Sequence, residues 1–274
     1  MGDCGATIVT GIESRLRSVF ISDLHLGSRG CRVDALLQFL NALDTENLFL
    51  IGDIVDLWRL KRKAYWPAAH GAVIQRLLSL ARAGTRVVLV PGNHDADLRE
   101  FADGRLGGIE VHRNFVHRTA AGRRLLLLHG DEFDGRLRCH PWLESVGGRL
   151  YDLTIALNRQ VNTLRLALGL SYWSLAGDVK QRIARAMQHI DRFEHAVIEE
   201  ARRRRLDGAV CGHIHRAQLR AHDDLLYCND GDWVETCSAV VERPNGELRL
   251  WRCAATQRSG AAAPQPLLEG ACGY

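Results

Sequence analysis

The eight cysteines of this chain include no C-x-x-C pair, which excludes any recognisable zinc-ribbon spacing and is unlike a disulfide framework. The N-terminus, MGDCGATIVT, lacks the basic start and apolar core of a secretion signal, so a reducing cytoplasm is expected. No apolar run approaches the ~18 residues of a membrane span. The closest, LRLALGLSYWSLAG from Leu164, is short and carries Arg165. It suits a surface, not a crossing. A formal charge of +4 is too small to mark a nucleic-acid binder, and no nucleic-acid partner is expected. The charge is uneven, however. Residues 136–205 hold 13 Lys and Arg against 7 Asp and Glu, which suits either phosphates, an anionic membrane surface or a solvated helical face.

The 274 residues suffice for one large core. Short apolar runs alternate with helical patterns: strands at 18–22, 47–52 and 86–90, and helices at 32–43 and 64–83. That alternation predicts parallel βαβ units and an α/β class. Two more buried strands are expected at 123–130 and 207–212, and antiparallel strands near the C-terminal end, in LLYCND, CSAVVE and ELRLWRC. Residues 139–205 contain no good strand and read as a helical insertion over the end of the sheet. One domain is expected over residues 1–253, followed by a flexible tail at 254–274 rich in Ala, Pro, Gly and Gln.

Each core strand is followed at once by polar residues of one chemical kind: SDLH, GDIVD, GNHD, HGDEFD and GHIH. In an open parallel sheet such ends line one crevice. A single Asp there is more often a helix cap or turn residue. Five clusters in succession are not explained that way. Carboxylates held close together repel unless cations lie among them, and oxygen and imidazole donors without thiolates suit Mn, Fe, Zn or Ni. About eight donors are too many for one ion and fit two, the arrangement that clamps both oxygens of an in-line phosphoryl displacement.

The order D-x-H, G-D-x-x-D, G-N-H-D, H-G-D, G-H-x-H resembles the calcineurin-like metallophosphoesterase superfamily across residues 22–215. The resemblance implies two sheets in a sandwich flanked by helices, with the helical insertion as a cap. It implies one metal on Asp23, His25, Asp53 and His215, and a second on Asp53, Asn93, His129 and His213. Asp53 would bridge, and a hydroxide between the ions, most simply Mn, would attack phosphorus. His94 would stabilise the phosphoryl charge or protonate the leaving oxygen, with Asp95 holding its imidazole.

Within the superfamily the chain is most similar to the UDP-2,3-diacylglucosamine pyrophosphatases of lipid A biosynthesis. SDLHL, the Asp56 and Trp58 of GDIVDLW, and the position of the insertion carry that likeness. It implies release of UMP and 2,3-diacylglucosamine 1-phosphate from a glycolipid precursor, with contact at the cytoplasmic face of the inner membrane. Trp58 and Asp56 would contact the substrate, and Arg149, Arg159 and Arg165, interleaved with apolar residues, would rim an acyl groove. One position departs: that group reads G-N-R-D where this chain has His94, and Arg cannot give up a proton. A paralogue acting on a nucleotide or another phosphodiester therefore stays open, as does a non-catalytic scaffold of the same fold.

Overall fold

A computed structural model describes residues 15–136 and 175–253. They fall into two units, residues 15–133 with 196–253, and residues 134–195. The first unit is built on two sheets. One has seven strands: β1 (Leu16–Ile21), β2 (Thr45–Ile51), β3 (Arg86–Val90), β4 (Arg105–Leu106), β5 (Ile109–Val111), β11 (Ser238–Glu242) and β12 (Leu248–Arg252). They lie in the order β12-β11-β1-β2-β3-β5-β4. The other has five: β6 (Phe115–Arg118), β7 (Arg124–Leu127), β8 (Gly208–Cys211), β9 (Gln218–His222) and β10 (Leu225–Asn229), in the order β6-β7-β8-β10-β9.

The period of two along the strands separates two cores. Phe20, Phe49 and Val88 point from the first sheet into a cluster shared with Leu125, Leu127, Val210, Leu226 and Cys228 of the second. Phe20 and Phe49 stack there, centroids 5.0 Å apart. Their neighbours Val19, Ile21, Leu48, Leu50, Val87 and Leu89 point the other way. They pack with Leu36, Phe39 and Leu40 of α1 (Val33–Ala42) and Val73, Leu77 and Leu80 of α3 (Ala68–Arg82). Each such side chain, fully buried, contributes roughly 1.5–3 kcal/mol.

The sequence places one helix over 64–83, whereas the chain forms α2 (Leu57–Arg62) and then α3. Pro67 supplies the reason: it sits at the N-cap of α3 with extended backbone, φ −65° and ψ 156°, and Pro disfavours helix in the residue before it. The strands at β7 and β8 lie in the second sheet and not beside β3, which separates the five expected strand ends between two sheets. Strand β10 also departs from the antiparallel expectation, since it pairs parallel to β8 and antiparallel only to β9. Of the insertion, helix α4 (Leu175–Arg203) is described. The rest, with Arg149, Arg159 and Arg165, and the tail after residue 253, lie outside the described residues. No helix among the described residues is long and apolar enough to cross a membrane, and no described cysteine forms a disulfide.

Candidate metal centre

Strands β1, β2 and β3 run parallel, as do β7, β8 and β10, and the loops at their carboxyl ends meet. Asp23 donates its backbone N–H to Gly52, and His25 to Asp53, so the loops after β1 and β2 form one bonded layer. His213, after β8, donates its N–H to Asp23 Oδ2 at 2.9 Å. His129, after β7, approaches the Ile51 carbonyl with Nδ1 at 2.9 Å.

Three groups of donor atoms result: Asp23, His25 and His215; His25, Asp53 and His94; and Asp23, Asp53 and His129. Asp23 Oδ1 lies 3.0 Å from His215 Nε2 and 3.6 Å from His25 Nε2. Those two imidazole nitrogens are 3.4 Å apart. Asp53 faces two ways, with Oδ1 3.4 Å from His129 Nε2 and Oδ2 3.9 Å from His25 Nε2.

The donor set fits cations on grounds of polar satisfaction. The Ile51 carbonyl can only accept, so His129 Nδ1 carries the proton and Nε2 presents a lone pair. That lone pair, buried and without a hydrogen bond, faces a carboxylate oxygen. Asn93 Oδ1 and Asp23 Oδ1 are likewise buried without hydrogen bonds. Buried acceptors without donors are costly unless positive charge lies among them. The field says the same. Burial disfavours charge on His129 and His215, yet Asp53 and Asp23 push them up to about 10 and about 9 respectively. Without a cation, a proton therefore takes the place on Nε2 that a metal would otherwise fill.

Backbone conformation adds to this. Asp23, His25, Asp53, His213 and His215 all have left-handed φ, between 47° and 71°. They are five of nine such non-glycine residues in the described chain, and strain of this kind gathers at functional sites. Gly92 makes room beside them. A Cβ there would stand 2.3 Å from Asp53 Oδ1.

Two expected roles change. Asp95 does not hold the His94 ring. Its carboxylate is fully buried and accepts N–H groups of Gly92 and Ile54 at 2.6 and 2.8 Å, with those of Asp53 and Val55 at 3.3 Å. It organises the loop backbone, which leaves no geometry for the imidazole. Asp56 holds His94 instead, Nδ1 to Oδ1 at 3.0 Å, and also caps α2 by accepting the Arg59 N–H. Burial opposes a charge on His94, but the bond to Asp56 and the charge of Asp53 outweigh it and raise its pKa. His213 joins none of the three donor groups; its ring lies 5.0 Å from that of His129. Trp58 is half exposed and lies 4.4 Å from the His94 ring.

Several residues at the site escape the motif reading. Ser22 Oγ lies 2.7 Å from Asp23 Oδ2 and 2.5 Å from Asp230 Oδ1. Burial raises the pKa of Asp230 well above the ordinary carboxylate value. Asn229 donates to the Gly212 carbonyl, and Asp232 accepts the N–H groups of Val234 and Glu235. Asn229 ends β10, and Asp230 and Asp232 follow it in the run CNDGDW. Its polar strand end was the available signal.

The model of the calcineurin-like phosphoesterase family matches residues 16–217, most of the chain. The chain belongs to the calcineurin-like phosphoesterase family. Among curated relatives, the "UDP-2,3-diacylglucosamine hydrolase" of Blochmanniella pennsylvanica is 29% identical over 116 residues, 41% of this chain and 46% of its own. A protein of that name from Enterobacter sp. is 24% identical over 83% of this chain and 98% of its own. The first of these matches thus spans about half the relative's length. Of solved structures, a Vps29 mutant from Entamoeba histolytica aligns over 86% of this chain and 90% of its own, at 13% identity and a TM-score of 0.45. That likeness is too loose to bear on function.

Proposed function

We propose that this family member is a dinuclear-metal phosphoesterase whose substrate is UDP-2,3-diacylglucosamine, cleaved at the pyrophosphate to UMP and 2,3-diacylglucosamine 1-phosphate. The observation that carries the reading is the placement of Asp53, one oxygen toward His129 and the other toward His25. Asp23, His25, Asp53 and His215 would hold one ion; Asp53, Asn93, His129 and His213 would hold the other. Manganese is the ion we favour, with iron or zinc also suited to these donors. Bound there, two divalent ions supply Lewis acidity to phosphoryl oxygens and acidify a water.

The protein's own groups do the rest. The buried carboxylates fix the charge of the site, and the loop layer between β1 and β2 keeps the donors in place. His94, held by Asp56, presents Nε2 toward the cluster, 3.8 Å from Asp53 Oδ2. From there it stabilises phosphoryl charge and gives a proton to the leaving oxygen. The substrate assignment is supported by the names of the relatives and by the basic, apolar insertion, whose place would be the cytoplasmic face of the inner membrane.

A second substrate reading rests on His94 itself. A titratable group in place of the Arg of G-N-R-D favours a paralogue acting on a nucleotide or another phosphodiester. Purified protein with Mn²⁺ should hydrolyse bis(p-nitrophenyl) phosphate and bind two ions. Asp53→Ala should abolish the first and reduce the second; near-wild-type turnover would sink the dinuclear reading. Equal rates on UDP-2,3-diacylglucosamine and on UDP-sugars without acyl chains would reject the lipid substrate alone.

A further inference from the structure

Helix α2 leaves an aromatic face at the lip of the site. Its Leu57 and Leu60 are half-buried, while Trp58 is 51% exposed. Trp233 and Trp251, the indoles that pack the core, are buried, whereas Trp58 turns outward. Here the indole lies against the His94 ring, 4.4 Å between centroids and tilted by 32°. Asp56, Trp58, Arg59, Lys61, Arg62 and His94 line an open depression of about 390 Å³, a size typical of small-ligand sites.

The surrounding charges narrow what enters. Arg59 is paired with Asp56 at 3.1 Å and Lys61 with Asp97 at 2.5 Å. Those cations are partly neutralised, so the depression is mildly positive and not a clamp for a second phosphate. Its distinctive feature is a flat ring face set beside the His94 imidazole, which Asp56 holds at 3.0 Å. Such a face discriminates planar rings, because every nucleobase has a π-face to offer.

We propose that Trp58 is the platform for the nucleobase of a nucleotide-linked substrate. This rests on the phosphoesterase reading above and adds which half of the substrate is recognised at α2: the nucleoside monophosphate half lies on the His94 side. Trp66 is also exposed on the same basic stretch, so an anionic lipid surface is the rival occupant. The concave lining and the contact with His94 favour the small molecule.

The test is calorimetric titration of the full-length Mn²⁺-loaded protein with UMP and, separately, ribose 5-phosphate, which differs in lacking the base. UMP should bind about tenfold tighter. Trp58→Leu should weaken UMP by about tenfold and leave ribose 5-phosphate unchanged, and Trp58→Phe should keep most of the preference. Equal affinity for the two probes in the wild type, or equal weakening of both by Trp58→Leu, would overturn the proposal. So would a variant that loses only its binding to phosphatidylglycerol vesicles. Hydrolysis of bis(p-nitrophenyl) phosphate separates the two levels. Hydrolysis without a base preference overturns this inference alone, a base preference without hydrolysis overturns the phosphoesterase reading alone, and failure of both overturns both.

Discussion

His94 and Asp56 are joined by a 3.0 Å hydrogen bond between Nδ1 and Oδ1, while the adjacent Asp95 gives both its oxygens to backbone N–H groups. Two neighbouring carboxylates thus have separate tasks, one on the reactive side chain and one on the loop that carries the ligands.

The first prediction follows from that separation. His94→Ala should lose roughly 10²–10⁴-fold in kcat, the range for a general acid, and keep its metal. Asp56→Asn should lose part of the same factor, again with metal content unchanged. Rates within twofold of wild type for Asp56→Asn would show that Asp56 does no more than cap α2.

Asp95→Ala should act on stability. It leaves the buried Gly92 and Ile54 N–H groups without an acceptor, at a cost of about 2–5 kcal/mol. Urea unfolding measures this. Asp95→Asn, which keeps an acceptor oxygen, should lose less. A neutral Asp95→Ala would mean that water reaches these groups.

Gly92→Ala should fold poorly or lose metal, since the added methyl would stand 2.3 Å from Asp53 Oδ1 and 2.7 Å from His129. The carboxylate cannot retreat without leaving its donor group. Metal content by inductively coupled plasma analysis, beside a thermal melt, reads both losses. A Gly92→Ala protein with two ions and a wild-type melt would refute the contact.

A fourth prediction concerns acid. Glu242 is fully buried and takes hydrogen bonds from His117 at 2.7 Å and the Ala120 N–H at 2.7 Å. Burial pushes its pKa up, but these bonds outweigh it and hold the carboxyl below the ordinary glutamate value. A folded pKa below the unfolded one means that the unfolded chain takes up the proton first. The stabilisation is therefore complete above the ordinary glutamate value and lost as pH falls through the lower, folded one. The difference in urea midpoint between wild type and Glu242→Gln should shrink over that acidic window. A difference constant from pH 7 to pH 3 would contradict it.

Much of this was legible in the chain. Runs such as SVFIS, NLFLIG and RVVLV became β1, β2 and β3, and the polar residues after each gathered at one end. Residue type and strand polarity were enough to bring Asp23, His25, Asp53, His129 and His215 together. The division into two sheets was not readable from apolar runs, because β3 and β7 are equally buried and only pairing tells them apart. Asn229 and Asp230 were missed for a related reason. Read as antiparallel, β10 delivers its end away from the site; paired parallel to β8, it delivers it there. The task of holding His94, which falls to Asp56, was given to Asp95 because adjacency in sequence stood in for direction in space. Asp95 is next to His94, yet the backbone turns its carboxylate inward.

The left-handed backbone at Asp23, His25, Asp53, His213 and His215 has a consequence for how this fold can drift. Each such residue carries roughly 1–3 kcal/mol of conformational cost that glycine would not. Replacement of His25 by glycine should therefore raise the melting temperature of the metal-free protein even as it removes a donor. His215, by contrast, lies 3.0 Å from the buried Asp23 carboxylate and offsets its strain by that pairing. The backbone at these five positions favours glycine, and what favours the residues present is the chemistry and pairing of their side chains.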